Sequence, residues 1–212
     1  SVLMVLDGRR YGPIAAAVAK ELYQAGRIPP LLVVGVVSEN ATDEFTPDYP
    51  YPRPVALEQV QGPQLRRFLQ DEAKDWVGAV YPTTPFSILA GHGDAGLLAL
   101  ANLFKDYRSF GAYLIGAPTV HRLADWNQAY RQFLVDNLHA DPFLYLSIGF
   151  GDQPNMAATW QLARLYNSHS VERPLEYHFE PLQEETNASL MQRTLHRGLD
   201  LLFADLRLTT MY

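Results

Sequence analysis

Short apolar runs rich in branched residues alternate along this chain with longer stretches in which apolar residues recur every three or four positions. The runs Val2–Leu6, Leu31–Val37, Phe86–Ala90, Ala112–Ile115, Phe143–Ile148 and Leu175–Phe179 predict strands. The intervening stretches Ile14–Ala25, Pro63–Val77, Leu97–Phe104, Trp126–Leu138, Ala157–Asn167 and Ala188–Leu206 predict helices. In the second of these, Leu65, Phe68, Leu69, Ala73, Trp76 and Val77 form a helical stripe with Pro63 at its start. In the last, Met191, Leu195, Leu199, Leu202, Phe203 and Leu206 share one face. Core packing accounts for both stripes without a ligand. The alternation itself predicts a mostly parallel sheet with helices on both faces. Thr42–Gly62 breaks the pattern: Pro47, Pro50, Pro52 and Pro54 interleave with Phe45, Tyr49 and Tyr51. That composition excludes helix and central strand and predicts a long, stiff loop. No internal repeat or low-complexity tract is present.

Composition narrows the function classes. A chain of 212 residues, 48% hydrophobic, is expected to form a single domain over residues 1–212. A net charge of -6 with dispersed cations argues against nucleic-acid partners and anionic membrane surfaces. With no cysteine there is no disulfide, thiolate metal site or cysteine nucleophile, and the compartment stays open. No apolar run approaches the roughly 20 residues of a membrane span. The chain opens inside a strand without an initiator Met, which leads to the expectation that residues precede it.

The chemistry centres on Ser87-Ile88-Leu89-Ala90-Gly91-His92-Gly93-Asp94-Ala95-Gly96, a buried strand, a glycine turn and the start of an apolar helix. In serine hydrolases of the α/β type this turn is G-x-S-x-G, with serine at a strained apex. Here the apex is Gly93, which has no side chain to attack an ester. A glycine relieves the strain that any Cβ would meet there, about 1–3 kcal/mol.

The chain resembles the putative-esterase (esterase D-like) branch of the α/β-hydrolase fold. Val5-Leu6-Asp7-Gly8 with Tyr11 resembles the family's strand-ending L-D-G. Ile28–Val36 resembles the next strand, and Asp43-Glu44-Phe45-Thr46-Pro47 the R-D-x-T-P loop. Phe68-Leu69 with Glu72 resembles the F-L-x-x-E helix, and Phe110-Gly111-Ala112-Tyr113 with Ala117-Pro118 the segment after the turn. The resemblance implies an α/β-hydrolase fold here missing its N-terminal strands. It places the nucleophile position at Gly93 and the histidine position, within Glu185-Thr186-Asn187-Ala188-Ser189, at Asn187. The acid position falls on Asp152, in Gly149-Phe150-Gly151-Asp152. The backbone amides of Gly8 or Arg9 and of Asp94 would form the oxyanion hole. Removing nucleophile and base from such a unit costs on the order of 10⁶ in rate.

Other residues are candidates beside these positions. Asp94 is an alternative nucleophile, although centring the turn on it places bulky His92 where a small residue is needed; a first-turn role favoured by the helix dipole suits it better. His92 suits a packed structural role, and His121 is the histidine that belongs near the pocket mouth. His139, His169 and His196 read as surface or helix-end residues, and His178 as facing a loop or solvent. Arg9-Arg10 is either a cationic rim for a carboxylate or phosphate or a solvated pair. No H-x-H or H-x-x-x-H spacing supports a metal, the glycines at 149–151 lack the ending of a phosphate loop, and no cofactor is expected. The preferred expectation is a non-catalytic esterase-family domain that binds an unknown small ligand or a protein partner. The alternatives are a working carboxylic-ester hydrolase with a displaced apparatus and a structural module of a longer polypeptide. The Thr42–Gly62 loop is expected beside the pocket.

Overall fold

The computed structural model describes residues 1–37, 65, 67–122, 126–136, 142–150, 153–169, 176–182, 185 and 189–205. Six strands form one parallel sheet: β1 (Val2–Leu6), β2 (Leu32–Val36), β3 (Ser87–His92), β4 (Ala112–Gly116), β5 (Phe143–Gly149) and β6 (Tyr177–Leu182). Their order across the sheet is β2-β1-β3-β4-β5-β6. Strand β1 therefore lies between β2 and β3, with Val2 opposite Leu32 on one side and Ser87 on the other.

The continuous apolar runs are explained by burial on both faces. Alternate residues Leu3, Val5, Ile88, Ala90, Ala112, Leu114, Phe143 and Tyr145 face helices α1 (Gly8–Gln24) and α6 (Leu190–Leu202). The intervening Met4, Leu89, Tyr113, Ile115, Leu144 and Leu146 face the other layer. That layer holds α2 (Ala73–Val80), α3 (Asp94–Asp106), α4 (Trp126–Asp136) and α5 (Gln153–His169). All six strands and all six helices expected from the sequence are present.

Of the boundaries that differ from expectation, three have an evident local reason. Helix α1 begins at Gly8 rather than Ile14, because Pro13 sits inside the helix instead of opening it. The chain enters that helix through Asp7, held at φ 53° and ψ 52°, whose carbonyl accepts the N–H groups of Arg10 and Tyr11. Ahead of α2 the stripe passes through a π-helical turn over Phe68–Glu72, which leaves Phe68 and Trp76 exposed while Leu69, Ala73 and Val77 are buried. Strand β6 starts at Tyr177 and continues through Pro181, opposite Ile148. It is the last strand of the sheet, where a proline costs no ladder bond on its outer side. The Thr42–Gly62 segment lies outside the described residues.

Candidate functional site

Because all strands run parallel, the loops after β1, β3, β4 and β5 open at one edge of the sheet. At that edge β3 ends in His92, the chain turns at Gly93, and α3 starts at Asp94. Gly93 adopts φ 61° and ψ -123°, a region that residues with a Cβ enter only at a cost. A Cβ built there would meet nothing within 4 Å, so a side chain at this position would stand in open space. The turn is tight all the same: a Cβ on Gly91 would come 2.4 Å from the carbonyl oxygen of Ala95. Gly93 N–H donates to the Gly116 carbonyl at 3.0 Å, and its own carbonyl accepts from Leu97 and Thr119.

Asp94 is held from the next loop. Its Oδ1 accepts the Thr119 hydroxyl at 2.6 Å and the Arg122 guanidinium at 2.8 Å. Arg122 is only 12% exposed and Asp94 36%, so this ion pair is partly shielded from water. Both partners come from the segment around a short 3-10 turn, Val120–Arg122, after β4. Within that segment Ala117 has φ 41°, a second strained residue. Its N–H donates to the Ser147 carbonyl, and its carbonyl accepts from the Asn155 side chain. Asn155 also pairs with His121 through Nδ1 at 3.2 Å. His121 thus lies at this end of the sheet, anchored to buried Asn155.

His92 points the other way, toward α1 and α6. Its Nδ1 shares a hydrogen bond of 3.2 Å with the Tyr11 hydroxyl, and the two rings lie 5.5 Å apart. Its Nε2 is buried with no hydrogen-bond partner among the described residues. Burial, reinforced by the nearby Arg10 charge, lowers its pKa to about 4, so the ring is neutral at physiological pH. Below it, Thr194 bonds Ser147 at 2.7 Å, and a Cβ on Gly116 would meet both Thr194 and His92. The packed role assigned to His92 agrees with this geometry.

Gly8 and Arg9 open α1 at the end of β1, beside β3, so their amides share the edge with those of Gly93 and Asp94. Arg9 and Arg10 are exposed, and the Arg10 guanidinium lies 5.0 Å from the Tyr11 ring centre. Asp152 and Asn187 lie outside the described residues. The residues that bracket them do converge: a Cβ on Gly149, at the end of β5, would come 2.6 Å from the Glu185 carbonyl. Glu185 is in turn ion-paired to Arg193 of α6 at 2.9 Å. Among the described residues no group of three His, Asp or Glu is placed to hold a metal. No helix described is long and apolar enough to cross a membrane.

Sequence reasoning missed Thr119, Arg122 and Asn155, which organise the edge. They carry no periodic or motif signal. Tyr11 was noticed only as part of a motif, not as the partner of His92.

The family model described as Putative esterase matches residues 1–161. The chain belongs to that esterase family. Solved structures agree on the fold. The siderophore hydrolase EstA from Aspergillus nidulans superposes with a TM-score of 0.75 at 18% identity, over 96% of this chain and 82% of its own. An IroE-like serine hydrolase from Shewanella oneidensis gives 0.81 at 21%, over 96% and 70%. The enterobactin esterase FES from Shigella flexneri, solved in the presence of 2,3-dihydroxy-N-benzoyl-serine, gives 0.73 at 16%, over 97% and 52%. At such identities the likeness carries the fold, and this esterase-family chain has the α/β-hydrolase fold. No curated protein matches its sequence.

Proposed function

We propose that this esterase-family domain is non-catalytic and uses the turn after β3 to bind a ligand rather than to cleave one. The observation that carries the reading is Gly93: φ 61° and ψ -123° at a sharp strand-to-helix turn, with open space where a side chain would stand. The backbone is that of a residue presented to a substrate, and the residue presents no atom that forms an acyl-enzyme. In this reading Gly93, Asn187 and Asp152 are vestigial triad positions, and the amides of Gly8, Arg9 and Asp94 remain as an anion-binding cradle. Arg9, Asp94 and His121 border the ligand, and His92, for which a binding role was also expected, packs behind the turn against Tyr11.

The second reading, a displaced nucleophile at Asp94, is disfavoured by its bonding. A carboxylate oxygen that accepts both the Thr119 hydroxyl and the Arg122 guanidinium is stabilised where it is and is a weak nucleophile. The compounds named with the structural neighbours are the ligands to try first: enterobactin and 2,3-dihydroxy-N-benzoyl-serine.

The test combines turnover and binding. The chain is incubated with p-nitrophenyl acetate, a thioester and enterobactin, and hydrolysis is expected to stay at buffer background. Binding of enterobactin or 2,3-dihydroxy-N-benzoyl-serine is then followed by calorimetry. Turnover that disappears in Asp94→Ala overturns the proposal in favour of the second reading. In the converse experiment, Gly93→Ser with Asn187→His is expected to label with a fluorophosphonate probe and show an acyl burst. Each single variant should stay at background, because nucleophile and base act as a unit.

A further inference from the structure

The opposite edge of the sheet carries a cavity that the proposed site does not use. It has a volume of about 300 Å³ and lies where β1 and β3 begin, lined by Val2, Met4 and Ser87 from the strands. Lys74, Asp75 and Gly78 of α2 form one wall, and Thr83, Thr84 and Pro85 the other. Gly93 lies six steps of extended chain beyond Ser87, about 20 Å, so the two sites are at opposite ends of β3. The volume is that of about ten waters, more than a bridging solvent molecule needs.

Its polar groups are not arranged as a random surface. Lys74 is half-buried, with its ammonium 4.0 Å from the centre of the Phe110 ring. Burial lowers its pKa against the pull of Asp106 and Asp71, and among the described residues neither carboxylate forms an ion pair with it. An under-solvated cation of this kind is stabilised by an anion that brings its own charge. Thr83 and Ser87 line it with their hydroxyls, that of Thr84 is shared with Ser1 Oγ at 3.1 Å, and Val2 and Met4 supply an apolar floor. Asp75 on the same wall disfavours a dianion and gives an acceptor for a hydroxyl or amino group.

We infer that this cavity is a second ligand site, specific for a small monocarboxylate that also carries a hydroxyl or amino group. The carboxylate pairs with Lys74 and takes hydrogen bonds from the hydroxyls, while the second polar group donates to Asp75. The site stands independently of the proposal for the Gly93 edge.

Backbone amide NMR tests it, with sodium L-lactate, L-serine, inorganic phosphate and glycerol as probes. Lactate and serine are expected to shift the Gly78, Thr83, Thr84 and Ser87 amides saturably, with a dissociation constant of about 1 mM for six or seven heavy atoms. Gly93 and Asp94 should not move with them. Phosphate and glycerol should bind at least tenfold more weakly. Lys74→Met should weaken lactate at least tenfold with the remaining spectrum unchanged; should that variant fold poorly, Thr83→Val provides the same comparison with a several-fold loss. Absence of saturable shifts, equal binding of glycerol, equal affinity in the folded variants, or shifts centred on Gly93 would each overturn the inference.

Discussion

Replacing Gly93 by serine isolates backbone strain from packing. The added Cβ meets nothing within 4 Å, so no steric term enters, and the cost is that of holding a residue with a Cβ at φ 61° and ψ -123°. Strain of this type is about 1–3 kcal/mol. For a chain of this size each kcal/mol lowers Tm by about 3 °C, so a loss of roughly 3–9 °C is expected. Gly91→Ser is the control, since its Cβ would fall 2.4 Å from the Ala95 carbonyl oxygen and 2.7 Å from its carbon. No rotamer relieves a clash with backbone, so that variant should lose more than Gly93→Ser or fail to fold. Both are measured by urea titration at constant pH, with unchanged m-values confirming the same unfolding transition. Equal losses for the two variants would show that the space at Gly93 is not open. No loss at Gly93 would show that its conformation is not strained, and with that the basis for a side-chain-presenting turn disappears.

The neutral His92 makes stability depend on acid. Its pKa is about 4 in the fold against 6.5 when exposed, so the unfolded chain binds a proton first as pH falls through that window. Stability present above pH 6.5 should decline by about 3 kcal/mol by pH 4 from this group, and His92→Asn should remove that part of the slope in urea titrations across the range. Asp94→Ala strips Arg122 and Thr119 of their shared acceptor and should cost about 1–2 kcal/mol, with Asp94→Asn keeping part of it. A double-mutant cycle of Asp94→Ala with Arg122→Met should give a coupling of about 1 kcal/mol; additive losses would mean the pair is solvated. Arg27→Met leaves the buried Asp200 carboxylate without its 2.6 Å partner and should cost about 2 kcal/mol, recovered in large part by Asp200→Asn.

The sheet was legible because the inner strands β1, β3, β4 and β5 are largely apolar on both faces, a signal that survives without knowledge of neighbours. Helix starts were less so. Pro13 marks a start by statistics, but here the αL residue Asp7 begins α1 six residues earlier, and aspartate, though enriched in αL, is too common in ordinary turns to mark a start by itself. The turn at Gly93 was legible as spacing: Gly91 is required by the Ala95 carbonyl four residues on and Gly93 by its own backbone angles, while Gly96 also faces Gly116 and Pro118 beyond β4. Its supports were not: Thr119 and Arg122 reach Asp94 from 25 and 28 residues away, and Tyr11 reaches His92 from 81 away. Such pairings arise because a parallel sheet gathers distant loops at one edge, and nothing local records which loops meet.

The position of β1 bears on how the chain is made. Its second neighbour is β3, with Val2 opposite Ser87, so 85 residues (87 − 2) separate the partners. At about 5–20 residues per second a ribosome takes roughly 4–17 s to deliver them. Through that interval β1 carries Leu3, Met4, Val5 and Leu6, all fully buried in the finished protein, with one strand edge and the face toward α3 uncovered. That is long compared with hydrophobic collapse, which takes at most about 100 μs. A pulse-chase experiment is expected to find the nascent chain bound to holdase chaperones until residues beyond α3 have emerged.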